Sequence, residues 1–139
     1  MEEEMPARYE MAATVTGAFA DVKARVIDAL KSQGFGILTE IDVQKTLKEK
    51  LGADMEPYVI LGACNPQLAH QALDADRSIG LLLPCNVVVR EEKGGIRVSI
   101  LDPLKMFEVV DNQTQADLAD LPGKARDSLQ AALRILGDG

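Results

Sequence analysis

The sequence predicts an α+β domain with a mixed, mainly antiparallel sheet and helices packed on one face of it. Short apolar or alternating segments are followed by segments with helical spacing, which indicates strands and helices in turn. Two strand-like segments, residues 81–90 and 96–101, flank a loop, residues 91–95, whose composition is typical of a hairpin. Because a hairpin pairs its strands antiparallel, this arrangement favours α+β over a doubly wound fold.

Length and composition indicate one globular unit. We expect a flexible acidic lead over residues 1–8 and a single α+β domain over residues 9–139, since 139 residues can bury a substantial core. Hydrophobic residues at 47% and charged residues at 27% are ordinary globular values and exclude a wholly disordered chain. Aromatic residues make up only 4%, so the predicted core is aliphatic.

Five strands and four helices are predicted from periodicity. The strands cover residues 9–16, 35–41, 58–64, 81–90 and 96–101. In the second strand, Ile37, Thr39 and Ile41 are predicted to share one face by alternation. The helices cover residues 18–33, 43–51 and about 66–73, with the main C-terminal helix from Pro122 onward. The inward-facing residues predicted for this last helix are Ala125, Leu129, Leu133 and Leu136. The segment 58–64 is continuously apolar, which predicts an internal position in the sheet. Residues 104–110 fit a short helix or another strand.

Residues suited to helix ends support these assignments. Gly34 and Gly52 follow the last turns of the first two helices, as left-handed residues commonly do. Asp42 is predicted to cap the second helix, and Asn65 followed by Pro66 is a typical start of the third. Residues 114–136 are helical in pattern, but Pro122–Gly123 interrupts them.

Charge and hydropathy exclude several classes of function. The formal net charge of -7 argues against a nucleic-acid partner, which needs clustered Lys and Arg. No apolar run approaches the roughly 20 residues that span a bilayer, so we expect no membrane partner. The acidic start, residues 1–4, is unlike a secretory signal. We therefore expect a soluble cytoplasmic protein with its two cysteines as free thiols.

The two cysteines lie where predicted strands begin or end. Residues 62–66 read Gly-Ala-Cys-Asn-Pro, and residues 81–89 read Leu-Leu-Leu-Pro-Cys-Asn-Val-Val-Val. Together with the pieces at 34–37 and 40–43, these segments resemble the domain-of-unknown-function 302 family over roughly residues 9–106. The resemblance implies a small α+β domain, dimer formation and no assigned activity. The break at 122–123 departs from the uninterrupted terminal helix expected of that family, which leaves the packing of the C-terminus open.

The candidate ligand or redox site consists of Cys64, Asn65, Cys85, Asn86 and Glu40. Cys64 precedes a helix N-terminus, where backbone N–H groups and the helix dipole favour a thiolate, while a small buried hydrophobe is its alternative role. If the strands bring Cys64 and Cys85 side by side, the pair could act as a redox dithiol or hold a soft metal ion. Core packing is the simpler interpretation of Cys85 alone.

Other residues give weaker indications. His70 is the single histidine, and its helical phase points it away from the apolar face, so we expect it to be exposed. Glu40 and Asp42 are a carboxylate pair without further support for catalysis. No phosphate loop, nucleotide fingerprint or metal-binding spacing is present, and we expect no cofactor and no metal.

Two functional hypotheses follow. The first is a non-enzymatic module that binds a small-molecule ligand or a partner, with the cysteine-bearing strand ends near the site. The second is a thiol-redox or sulfur-handling enzyme that uses Cys64 as nucleophile and Cys85 as resolving thiol. A homodimer is also predicted, because the sheet face opposite Cys85 mixes the apolar Val88 and Leu101 with polar residues.

Overall fold

The structure is a computed structural model that describes residues 9–138 of the 139-residue chain, so the predicted lead at residues 1–8 lies outside the described residues. The described part contains five strands, six α-helices and two 3-10 helices. They are β1 Glu10–Val15, α1 Phe19–Ser32, β2 Gly36–Asp42, α2 Val43–Leu51, β3 Tyr58–Cys64, α3 Pro66–Ala75, a 3-10 helix Arg77–Leu82, β4 Cys85–Glu92, β5 Gly95–Leu101, α4 Pro103–Met106, a 3-10 helix Phe107–Val109, α5 Asn112–Leu118 and α6 Leu121–Asp138.

The five described strands form one sheet in the order β1-β5-β4-β3-β2, and every pairing between neighbours is antiparallel. The predicted α+β class is confirmed, and the sheet is antiparallel throughout rather than mixed. The apolar segment that forms β3 lies inside the sheet, between β2 and β4, as its composition predicts. The hairpin also forms, although its turn is only Lys93–Gly94, because the strands continue further than predicted.

One face of the sheet, here called the covered face, packs against the helices. Its buried side chains come from four strands, and α1, α3 and α6 supply the buried residues opposite them. The buried residues of this face are Met11, Val15, Val59, Leu61, Ala63, Cys85, Val87, Val89, Ile96, Val98 and Ile100. Because side chains alternate along a strand, the intervening residues form the second face, here called the open face. These residues include Glu10, Tyr58, Ile60, Gly62, Asn86, Val88, Arg90, Arg97, Ser99 and Leu101.

The predicted helix ends are confirmed. The carboxylate of Asp42 accepts a hydrogen bond from the backbone N–H of Lys45 at 2.9 Å, as an N-cap does. Gly52 follows α2 with φ +65°, and Gly34 adopts φ +86° after α1, so both use the left-handed backbone that glycine tolerates.

The predicted strand at residues 81–90 starts too early. Residues 81 and 82 belong to the 3-10 helix Arg77–Leu82, and β4 begins only at Cys85. The prediction took the apolar run at residues 81–83 as the start of a buried strand. In the structure only Ile79 of this 3-10 helix is buried and Leu81 is 89% exposed, so the apolar run does not mark a strand here. Pro84, joined to Leu83 by a cis peptide bond, has no N–H for a strand ladder and marks the start of β4.

The alternation predicted for β2 is also wrong. Ile37 pairs with Ala63 on the covered face, but a bulge before Thr39 shifts the register, and Thr39 pairs with Gly62 on the open face. A bulge inserts one residue and reverses the facing of every side chain after it. Ile41 therefore lies on the open-face side and is 49% exposed.

The C-terminal segment for which the sequence allowed either a short helix or a strand is helical. Residues 104–109 are divided between α4 and the second 3-10 helix, and Val110 follows them with an extended backbone. The break in the long helical segment falls at Ala119, with φ +53°, rather than at 122–123. Pro122 is in the first turn of α6, where the lack of an N–H costs nothing. The predicted inward-facing residues of α6 are buried: Ala125, Leu129, Leu133 and Leu136.

Candidate functional site

The two cysteines lie at neighbouring strand ends. Cys64 ends β3 and Cys85 begins β4, but the residue paired with Cys85 is Ala63. Ala63 and Cys85 share the covered face, and Cys64 is the next residue, the last one of β3. The register therefore answers the question that the sequence left open: the cysteines are close in the fold without being a directly facing pair.

Both cysteines line one small cavity of about 30 Å³. The remaining walls are largely apolar and come from α3, α6 and the segment before β4, including Phe35, Leu68 and Phe107. A cavity of roughly 10–15 Å³ can hold one water molecule, so this space is suited to one or two water-sized groups and is too small for an organic ligand.

Burial acts against thiolate formation at both cysteines. It raises the pKa of Cys64, the opposite of the direction expected from its position before α3. Burial, and then the negative charge of a nearby Cys64 thiolate, raises the pKa of Cys85 to about 11. Because the thiolate is the reactive form, both groups are protonated and weakly nucleophilic at neutral pH.

Asn65 and His70 have the local structural roles that their positions suggest. The Asn65 side-chain oxygen accepts hydrogen bonds from the backbone N–H groups of Gln67 at 3.1 Å and Leu68 at 3.2 Å, which caps α3. His70 is exposed, and its Nε2 lies 3.7 Å from a carboxylate oxygen of Asp74 on the same helix. The prediction that His70 points away from the apolar face is confirmed.

The remaining candidate residues are not at the cavity. Glu40 lies on the edge strand β2 and accepts a hydrogen bond from the Lys23 ammonium group at 2.6 Å. Asn86 follows Cys85 directly, but it is exposed and lies on the open face. The five predicted residues thus divide into a group at the cavity (Cys64, Asn65 and Cys85) and two separate positions.

A larger concavity lies on the open face. This open-face groove has a volume of about 320 Å³. It is lined by residues of β1, β3, β4 and β5, with Tyr9 at the edge: Tyr9, Glu10, Tyr58, Asn86, Val88, Arg90, Ser99, Ile100 and Leu101. Both tyrosines of the chain line it, and the chain has no tryptophan. Of these residues, sequence analysis selected only Asn86 for the site.

A nearly buried ion-pair network adjoins the groove. Arg97 is 7% exposed, and its Nε and Nη2 donate hydrogen bonds to the two carboxylate oxygens of Glu10 at 3.1 and 3.3 Å. The Ser99 hydroxyl donates to the same carboxylate. The Nη1 of Arg97 lies 3.9 Å from a carboxylate oxygen of Glu92. This network joins β1, β4 and β5 on the open face.

Comparison with known proteins gives the family. The family model described as Domain of unknown function DUF302 matches residues 11–136. The chain belongs to this family. The predicted resemblance is therefore confirmed, and it extends beyond the predicted range into α6.

A solved structure supports the same assignment. The DUF302 domain is similar to the crystal structure of an uncharacterized conserved DUF302 protein from Bacillus stearothermophilus, with 29% sequence identity and a TM-score of 0.83. The match covers 94% of this chain and 99% of the other. No curated protein matches this chain.

Two further properties concern only residues 9–138. Within them, no three or more His, Cys, Asp or Glu side chains are grouped so that they could hold a metal ion. None of the described helices combines the length and the apolar character needed to cross a membrane.

Proposed function

We propose that this DUF302 domain is a binding module rather than an enzyme, and that it takes a small organic molecule in the open-face groove. The observation that carries the proposal is the position of the tyrosines. Aromatic residues are only 4% of the chain, yet both Tyr9 and Tyr58 line this groove. Tyrosines supply large contact areas at low cost in conformational entropy and are enriched at binding hot spots.

The size of the groove supports the same function. Its volume of about 320 Å³ is at the lower end of the range for ligand pockets, roughly 300–1,000 Å³. Apolar side chains on its floor, Val88 and Leu101, alternate with groups that can form hydrogen bonds, Asn86 and Ser99. A few polar groups on an apolar surface are typical of sites that orient a small ligand.

The cysteine-bearing strand ends predicted from the sequence lie next to the proposed binding site. Asn86 follows Cys85 on β4, so the groove starts one residue from the thiol cavity, on the other face of the sheet. The high pKa of Cys85 favours a packing role over redox chemistry for that residue. We therefore assign a packing role at the strand end to the thiols and ligand binding to the groove.

Tyrosine fluorescence tests the proposal directly. Because the chain has no tryptophan, excitation at the tyrosine absorption band reports only Tyr9 and Tyr58, both in the groove. We expect some members of a non-fluorescent fragment library to give saturable changes. Val88→Phe, which fills the groove, should abolish them.

Val109→Phe is the matched control. Val109 is 73% exposed on a 3-10 helix and does not line the groove, so this variant should bind as the wild type does. A library in which no fragment gives a saturable change, or a Val88→Phe protein that binds normally, would contradict the proposal.

A second copy of the chain is the second candidate for this face. Ile60, Val88 and Leu101 are half-buried apolar residues of the open face, which favours contact with another protein surface. On this proposal, sedimentation should show a dimer that Val88→Arg dissociates. A wild-type chain that sediments as a monomer at high micromolar concentration would exclude it.

A further inference from the structure

The two cysteines at the small cavity form a pair that the groove does not use. The sequence allowed two roles for an adjacent pair, a redox dithiol or a site for a soft metal ion. Cys64 directly follows Ala63, which is paired with Cys85 across β3 and β4. One step along a strand and one spacing between strands put the Cα atoms of the two cysteines about 6 Å apart. Cysteines whose sulfurs meet in a disulfide have Cα atoms roughly 4.4–6.8 Å apart, so these two side chains can reach a common point.

The cavity supplies space for a bound ion. Both cysteines line it, and its volume of about 30 Å³ is enough for one or two water-sized groups. Cys64 is partly exposed, whereas Cys85 is buried. An ion can therefore arrive from solvent at Cys64 and then bind both sulfurs.

The other walls of the cavity decide which kind of ion fits. Among the described residues that line it, none is Asp, Glu, His, Lys or Arg. Asn65 also lines it, but its side-chain oxygen already accepts two backbone hydrogen bonds. Hard cations need oxygen ligands, and Zn²⁺ takes four ligands in a tetrahedron, so two sulfurs between apolar walls suit neither. Thiolate ligands instead select soft cations such as Cu(I).

We propose that Cys64 and Cys85 together bind one soft monovalent cation, Cu(I), at this cavity. The site is independent of the proposed function, because neither cysteine lines the groove. In the metal-free chain the two thiols pack at the strand ends. On binding, each S–H bond breaks, a copper–sulfur bond forms in its place, and both protons pass to solvent, with no transfer of electrons.

Protonated thiols are compatible with this chemistry. A metal ion deprotonates the thiols that coordinate it, so a site can bind metal although its free thiols hold their protons. Cu(I) between two thiolates leaves one negative charge. The N-terminus of α3 begins at Pro66, two residues after Cys64, and its dipole favours negative charge there.

Competition with a chromophoric chelator tests the site. Under nitrogen, the wild-type chain should withdraw one equivalent of Cu(I) from bicinchoninate. Cys64→Ala and Cys85→Ala should each weaken the binding of Cu(I) roughly a hundredfold or more, because two-coordinate binding needs both sulfurs. Zn²⁺ offered in the same way from a zinc chelator should stay with the chelator.

Met11→Leu is the matched control. Met11 is a buried sulfur-containing residue of β1 that does not line the cavity, so this variant should bind Cu(I) as the wild type does. X-ray absorption spectra of the copper-loaded wild-type chain provide a measurement that does not depend on the folding of any variant. They should show two sulfur neighbours and no nitrogen or oxygen neighbour.

Several results would overturn the proposal. These are a wild-type chain that leaves Cu(I) with the chelator, a single cysteine variant that keeps wild-type affinity, and a copper site with nitrogen or oxygen neighbours. A chain that binds no Cu(I) but forms a Cys64–Cys85 disulfide under mild peroxide would favour the redox role instead. None of these results bears on the groove, which the fragment experiments test separately.

Discussion

The two faces of the sheet are built from the same strands but from different chemistry. On β4, Val87 and Val89 are completely buried on the covered face, while Val88 between them lies half-buried in the open-face groove. The covered face is aliphatic and closed by helices, whereas the open face holds tyrosines, an ion-pair network and polar side chains. The comparison indicates that the covered face stabilises the fold, and the open face is the one to which we assign binding in our proposal.

The largest expected effect is on the covered face. Leu129 of α6 is fully buried, so Leu129→Ala should lower the free energy of unfolding by about 4 kcal/mol through lost burial and a residual cavity. Chemical denaturation followed by far-UV circular dichroism measures the change. Leu51→Ala, at a position 75% exposed, should change it by less than about 0.5 kcal/mol. Equal losses in the two variants would mean that the packing described for α6 is wrong.

On the open face, the buried arginine should matter nearly as much. Arg97→Ala leaves the Glu10 and Glu92 carboxylates without their shared cation, and we expect a loss of about 3 kcal/mol. The control is Lys48→Ala, which breaks an exposed pair with Asp54 at 2.7 Å and should cost at most about 0.5 kcal/mol. If Arg97→Ala costs no more than this control, the network contributes nothing to stability.

The buried thiol predicts a pH effect. The pKa of Cys85 is raised from 9.0 to about 11 in the folded chain, so the unfolded chain loses this proton at lower pH. The stabilisation is full below pH 9 and disappears as the pH rises through 11, a loss of about 2 kcal/mol by pH 11. Unfolding free energies between pH 8 and 11 should therefore fall more steeply for the wild type than for Cys85→Ala. Parallel curves would contradict the raised pKa.

The smallest expected effect concerns the crowded end of the open face. A Cβ at Gly62 would overlap the Thr39 Oγ1 and lie 2.8 Å from the Pro84 Cγ. Gly62→Ala should therefore cost about 1 to 2 kcal/mol, and adding Thr39→Ala should recover part of it. Gly36→Ala is the control in the same sheet, because no atom lies within 4 Å of its added Cβ. A Gly62→Ala variant with an unchanged free energy of unfolding would show that the open face is less crowded at this position.

The covered face could be predicted from the sequence, and much of the open face could not. Alternation along β4 and β5, the helical spacing of α6 and the cap at Asn65 are local signals, and each is confirmed. The bulge in β2 and the 3-10 helix before β4 depend on packing between distant segments. Their local sequences, with alternating or apolar residues, resemble ordinary strands.

The site shows the same division. The cysteines were conspicuous in the sequence, but only the strand register reveals that Ala63 stands opposite Cys85. The groove was not predicted because Tyr9 and Tyr58 are 49 positions apart in the sequence. They line the same groove only because the strand order of the sheet brings them together. The cross-strand pair of Arg90 and Arg97 could have been found by assigning hairpin register from the turn at 93–94.

The most direct test of the two-face account uses the three consecutive valines of β4 as internal probes. Methyl NMR spectra are recorded while the wild-type chain is saturated with the tightest-binding fragment from the fluorescence screen. The account predicts that the Val88 methyl signals shift strongly while those of Val87 and Val89 stay in place. Shifts at Val87 and Val89 with an unchanged Val88 would place the ligand among the helices and contradict the assignment of binding to the open face.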